Sequence, residues 1–173
     1  NGSRVALLVA NGLSYVTCVH ALTRLGAILV PLNTRLTREE LRWQLQDVHA
    51  TFLLNDSQHE VRAHAIELLP NVTLTAEGDD VYLPGLAESA QPLQTLIDLN
   101  AIQAIMYTSG TTGNPKGVLI TYEMQWWNAL GSALNLGHQP DDCWLACMPL
   151  FHIGGLSILM RSIIYGISVV LQE

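Results

Sequence analysis

Between two apolar runs, Ala104-Ile105-Met106 and Val118-Leu119-Ile120, the chain reads Tyr107-Thr108-Ser109-Gly110-Thr111-Thr112-Gly113-Asn114-Pro115-Lys116-Gly117. Four hydroxyl side chains (Thr108, Ser109, Thr111, Thr112), three glycines (Gly110, Gly113, Gly117) and Lys116 share that short span. Glycine permits positive φ and lets a ligand come close to the backbone amides. Successive amides turned the same way form an anion-binding nest. Hydroxyls add hydrogen-bond donors and the lysine adds a point charge, so the inventory suits a polyphosphate. The spacing is not that of a Walker A loop, which needs Lys directly after the second Gly of G-x-x-x-x-G. Here Pro115 stands five after Gly110, and Gly117 follows Lys116. Nor is it a G-x-G-x-x-G fingerprint, since Gly110 and Gly113 are three apart. The plain alternative is a polar hairpin turn between two buried strands, for which Asn-Pro and Gly are ordinary material. Four hydroxyls and a lysine exceed what a turn needs.

A second stretch, Pro149-Leu150-Phe151-His152-Ile153-Gly154-Gly155-Leu156, reads as a tight apolar turn after a strand, leading into a helix from about Gly155 to Tyr165. Ligands of open parallel sheets sit at the carboxyl ends of strands, where Phe151 and His152 would lie. A histidine in such a place serves either chemistry or structure, and spacing does not choose between them.

The Tyr107–Gly117 segment resembles the phosphate loop of the adenylate-forming superfamily, which holds acyl-CoA synthetases, peptide-synthetase adenylation domains and luciferases. Met148-Pro149-Leu150-Phe151-His152 is similar to the aromatic/His motif of that superfamily, and Pro31-Leu32-Asn33 after a strand resembles the start of its large domain. Trp126-Trp127, Ser132 to Gly137 and Met148 to Tyr165 are similar to bacterial o-succinylbenzoate–CoA ligases of menaquinone synthesis. The resemblance implies an ATP-dependent carboxylate–CoA ligase using ATP, Mg²⁺ carried by the nucleotide, and coenzyme A. It implies that Thr108, Ser109, Gly110, Thr111, Thr112, Gly113 and Lys116 hold the ATP phosphates. Phe151 and His152, with Gly154 and Gly155 as wall, would border the acyl pocket. An amino-acid adenylation domain, a fatty-acyl-CoA ligase and a non-catalytic binding module remain as alternatives. The superfamily's ribose-binding Asp, hinge and adenylation lysine would all follow Glu173. The chain is therefore expected to be a fragment of the large N-terminal domain without its C-terminal lid, carrying no catalytic residue of its own and binding ATP weakly.

The elements that must position these groups can be read from periodicity. Val5–Val9 is a continuous apolar run, as in a parallel strand covered on both faces. Val16, Val19, Leu22 and Leu25 predict a helix over 13–25, closed by Gly26. Ala27–Leu32 is a second strand, interrupted by Pro31. Thr37 and Glu40 form a capping box for a helix to about Val48 with Leu41, Leu45 and Val48 inward. Thr51–Leu54 is a third strand, and a helix starting at Asp56-Ser57 should turn Val61, Ala65 and Leu68 inward. Residues 70–100 read as a connector with edge strands at Asn71–Thr75 and Val81–Leu83 and a turn at Gly78-Asp79-Asp80. A helix over Tyr122–Leu136 is expected to bury Met124, Trp127, Leu130 and Leu134, with both tryptophans in the core or one lining a pocket for an aromatic ring. Strands follow at Cys143–Met148 and Ile167–Leu171. Alternating strand and helix is the signature of βαβ units. The expected class is α/β, a parallel-rich βαβ sheet layered with helices.

At 173 residues, 49% hydrophobic and 13% charged, the chain can bury one sizeable core. A net charge of −7 argues against a nucleic-acid partner, and no uninterrupted apolar stretch is long enough for a membrane span. Cys18, Cys143 and Cys147 read as buried thiols of a reducing cytosol, and no C-x-x-C or H-E-x-x-H proposes a metal site. A cytoplasmic location follows from these features. A homo-oligomer is compatible with the sequence.

Overall fold

The first apolar run forms β1 (Arg4–Leu8), and its side chains alternate between two separate cores. Leu7 enters one, Ala6 and Leu8 the other, and all three are fully buried. Burial on both faces is why the run is continuously apolar rather than alternating. The computed structural model describes residues 2–78, 80–84, 93–108 and 115–172.

Around β1 the chain winds in βα steps. Helix α1 (Leu13–Leu25) ends where Gly26 turns left-handed at φ 65°, a conformation that costs glycine little. Strand β2 (Ile28–Pro31) then pairs parallel with β1. Pro31 is accommodated at the strand's last position, and the Leu32 N–H carries the pairing on to the Leu7 carbonyl at 3.0 Å. Helix α2 (Arg38–Asp47) starts on the expected capping box: Thr37 Oγ1 accepts the Glu40 N–H, and the Glu40 carboxylate accepts the Thr37 N–H at 2.8 Å. Strand β3 (Phe52–Asn55) returns to the other side of β1, followed by the short α3 (Glu60–His64) and the edge strand β4 (Asn71–Thr73). A small antiparallel pair, β5 (Thr75–Glu77) and β6 (Asp80–Tyr82), stands apart from the main sheet.

Strand β7 (Ile102–Thr108) joins the sheet parallel to β2, and β8 (Lys116–Thr121) pairs antiparallel with β7 at the edge. The six-stranded order is β4-β3-β1-β2-β7-β8. After β8 come α4 (Tyr122–Leu136) and a βαβ unit of β9 (Cys143–Ala146), α5 (Ile153–Tyr165) and β10 (Ser168–Leu171), whose two strands pair in parallel. Side chains of α1, α4 and α5 share one core with Leu7. Those of α2 and α3 share the other with Ala6 and Leu8. The α/β class and its parallel-rich sheet are as expected. The strand order reverses beside β1, between β2 and β3, which marks the carboxyl end of β1 as a switch point where ligands collect.

Four expectations about burial are corrected. Val118 and Leu119 do lie in a strand, but β8 is an edge strand and both side chains are exposed. Val61 is 85% exposed, because α3 begins at Glu60 rather than after Ser57; Ala63 and Ile66 point inward instead. On α4 the buried face is Tyr122, Gln125 and Ala129, held to α5 by Ser157 donating to Gln125 at 3.1 Å and Arg161 to Asn128 at 2.6 Å. Met124, Trp126, Trp127, Leu130 and Leu134 are exposed, Trp127 at 59% and Leu134 at 81%. Their helical spacing is real, but none is buried by any described element. Cys18 is buried as expected, whereas Cys143 and Cys147 are exposed, β9 being covered on one side only.

Candidate functional site

The stem of the hydroxyl-rich loop is the end of the β7–β8 hairpin, where Thr108 stands opposite Lys116 and Tyr107 opposite Gly117. Thr108 and Lys116 are both exposed. Tyr107 fixes the stem from behind. Its hydroxyl donates to the Asp47 carboxylate at the end of α2, 2.6 Å away, and its ring meets Trp43 edge-on at 5.9 Å. Burial first, and then the bond to Asp47, hold the Tyr107 phenol well above its ordinary pKa. It stays a neutral donor. A Cβ at Gly117 would lie 3.1 Å from Ile105 Cγ2 and 3.5 Å from the Tyr107 ring, so the absence of a side chain there lets the ring lie across the hairpin. Ser109, Gly110, Thr111, Thr112 and Gly113 lie outside the described residues.

The second stretch is placed by α5. His152 is the residue before its first turn, extended at φ −97°, ψ 153°, with its ring exposed and no side-chain cap. Phe151 lies beside it, the two ring centroids 4.5 Å apart. The His152 N–H donates to the Pro149 carbonyl at 3.0 Å, and the His152 carbonyl accepts the Leu156 N–H at 3.0 Å. Gly155 is buried behind this turn: a Cβ there would meet the Pro149 carbonyl oxygen at 2.4 Å. At Gly154 a Cβ would meet Met148 Cε at 2.7 Å. Both glycines therefore allow α5 to start hard against residues 148–150.

Asn11, in the turn between β1 and α1, joins this turn to the main sheet. Its Oδ1 accepts the Leu150 N–H at 2.9 Å and its Nδ2 donates to the Met148 carbonyl at 3.3 Å. The usable signal was its place: a side chain with donor and acceptor on one planar group, at the carboxyl end of the central strand. Nearby, Asp56 Oδ2 accepts the Ala10 N–H at 2.7 Å, and Asp56 Oδ1 lies 2.5 Å from His59 Nδ1. The β1–α1 and β3–α3 turns are thus tied together at the same end.

Because β7, β2 and β1 run parallel, the loop stem and Asn11 emerge at one end of the sheet. Only β2 separates β1 from β7, so they lie about 10 Å apart, two strand spacings. A cavity of about 700 Å³ opens at the opposite end, lined by Gly26, Ile28, Asp98, Ile102 and Tyr122 among others. Among the described residues its lining carries one acidic side chain, Asp98, and no basic one, which is the wrong polarity for phosphate. Among the described residues no three His, Cys, Asp or Glu side chains are grouped to hold a metal ion, and no helix is long and apolar enough to cross a membrane.

The chain matches known proteins both in sequence and in fold. A profile of the AMP-binding enzyme family covers residues 1–173. A 2-succinylbenzoate–CoA ligase of Bacillus cereus is 45% identical over 170 residues, which is 98% of this chain and 33% of that protein. The o-succinylbenzoate CoA synthetase (MenE) of Bacillus subtilis, solved in complex with the acyl-adenylate intermediate OSB-AMP, superimposes with a TM-score of 0.84 at 39% identity, covering 98% of this chain and 43% of that one. The same synthetase with ATP and magnesium ion superimposes at 0.83 with 36% identity, over 99% and 44% of the two chains. The chain spans about a third of the length of the curated relatives it matches.

Proposed function

We propose, on the premise that the chain belongs to the AMP-binding enzyme family, that it forms the ATP- and acid-binding part of the large N-terminal domain of a carboxylate–CoA ligase. The acid is o-succinylbenzoate, the location cytoplasmic, and the pathway menaquinone synthesis. One observation carries this reading: 98% of the chain aligns with a synthetase captured holding its own acyl-adenylate, OSB-AMP.

The reaction has two halves. A carboxylate oxygen attacks the α-phosphorus of ATP and pyrophosphate leaves; the thiol of coenzyme A then attacks the acyl carbonyl and AMP leaves. The first half asks the protein for alignment and for charge stabilisation. Thr108, Ser109, Thr111 and Thr112 donate hydroxyls to the β- and γ-phosphates, Gly110 and Gly113 offer amides, and Lys116 adds its charge. Tyr107, locked to Asp47, keeps the stem of that loop in place. His152 and Phe151 border the acid, with the imidazole free to hydrogen-bond one of its oxygens. Among the described residues the stem offers hydroxyl and ammonium groups, Thr108 and Lys116, without a carboxylate cluster, which suits Mg²⁺ held by the nucleotide. When bound, the ion neutralises phosphate charge.

Pyrophosphate exchange by the full-length protein tests the reading, with o-succinylbenzoate, fatty acids and amino acids offered in turn. Exchange with o-succinylbenzoate is expected; exchange with amino acids alone rejects it. Lys116→Ala should raise the KM for ATP about tenfold or more, the usual scale for losing a charged hydrogen bond. Unchanged kinetics would remove Lys116 from the phosphate site.

A further inference from the structure

Asn11 and the Tyr107–Asp47 pair fasten two different parts of the candidate site to the sheet, and among the described residues they share no hydrogen-bond partner. Tyr107 and Asp47 fasten the loop stem. The Asn11 amide fastens residues 148–150, which lie 137 and 139 positions away in the chain. Its two bonds match the groups opposite: a carbonyl at Met148 needs a donor, an N–H at Leu150 needs an acceptor, and the planar amide offers one of each. The orientation of that amide is therefore fixed by its partners.

The held segment leads straight to the imidazole. Pro149 sits between the two residues that Asn11 binds, and its carbonyl accepts the His152 N–H at 3.0 Å. The same carbonyl occupies the space a Cβ of Gly155 would need, so the first turn of α5 is seated against it. Moving residues 148–150 would move Phe151, His152 and the start of α5 together. Asn11 itself is only half-buried and stands at the carboxyl end of β1, the central strand.

We propose that Asn11 is a positioning residue for the acid half of the site: it sets the place of Phe151 and His152 through Pro149, while the described stem of the phosphate loop is held separately, by Tyr107 and Asp47. This rests on the function proposed above, in which those two side chains border the carboxylate substrate. A misplacement of about 1 Å at a reacting centre can cost up to about a hundredfold. The loss expected here is confined to one substrate.

The test uses the full-length ligase with Asn11→Ala and Asn11→Asp, measuring KM separately for the acid and for ATP alongside thermal unfolding. The aspartate has the same shape and keeps the acceptor for Leu150, but it turns an oxygen toward the Met148 carbonyl. Both variants should raise the KM for o-succinylbenzoate about tenfold, with the KM for ATP within about twofold of wild type. Should the alanine variant fail to fold, the isosteric aspartate variant is judged by the same split. A parallel rise in both KM values, or a lowered melting temperature with neither KM changed, makes Asn11 a structural tie and overturns the proposal. Wild-type enzyme that ligates a different acid sinks the substrate assignment instead, and the split is then read with that acid.

Discussion

Tyr107 and Cys18 illustrate how single groups are set by what surrounds them. Burial pushes the Cys18 thiol up to about 12, so it stays protonated and unreactive on the buried face of α1. Cys143 and Cys147 are exposed. A chromogenic disulfide should titrate those two thiols in the native chain and Cys18 only after denaturation; three fast thiols would mean that α1 does not pack as described. At this scale the sequence was legible where types cluster and illegible where partners are remote. The hydroxyl-rich loop stands out in the sequence because its donors lie side by side in the chain. Asn11 could not, because its meaning depends on Met148 and Leu150, which no local pattern links to it.

At the scale of elements, α5 and α4 make opposite demands on glycine. Gly155 is pressed against the Pro149 carbonyl, so Gly155→Ala should cost about 1–3 kcal/mol, the usual range for overpacking. Gly131 lies mid-helix on α4, exposed, with no described atom beyond its chain neighbours and the helix's own backbone within 4 Å of where a Cβ would be. Gly131→Ala should stabilise by about 0.5–1 kcal/mol through helix propensity. Chemical denaturation of the two variants checks the pair, and the same sign for both would contradict the described packing at one of them. Element existence was readable: the Thr37–Glu40 box, the Gly26 stop and the span of α4 all stand where periodicity and caps put them. Element facing was not. Periodicity says that Met124, Trp127, Leu130 and Leu134 share a side of α4, but only the neighbours decide whether that side is covered. Here Gln125 and Ala129 face α5, and the apolar stripe does not.

For the molecule as a whole, acid should be the weak flank. His20 on α1 is half-buried, and burial lowers its pKa below the ordinary 6.5. As pH falls through that ordinary value the unfolded chain takes up a proton that the folded chain resists, so stability is lost on the acid side and restored as pH rises. Melting temperature should drop between about pH 7.5 and 5.5, and less steeply in His20→Gln; an identical slope would mean that His20 is not the cause. The class of the fold followed from the alternation of strand and helix, whereas the return of β3 to the far side of β1 did not, since strand order leaves no mark in periodicity. The span between Asn11 and Leu150, 139 positions, has one more consequence. Strands β1, β2 and β3 can pair on a nascent chain while α5 is still untranslated. Until Leu150 emerges, the Asn11 amide lacks both of the partners it binds in the fold, so the half of the pocket nearest His152 takes shape later in synthesis than the sheet that carries it.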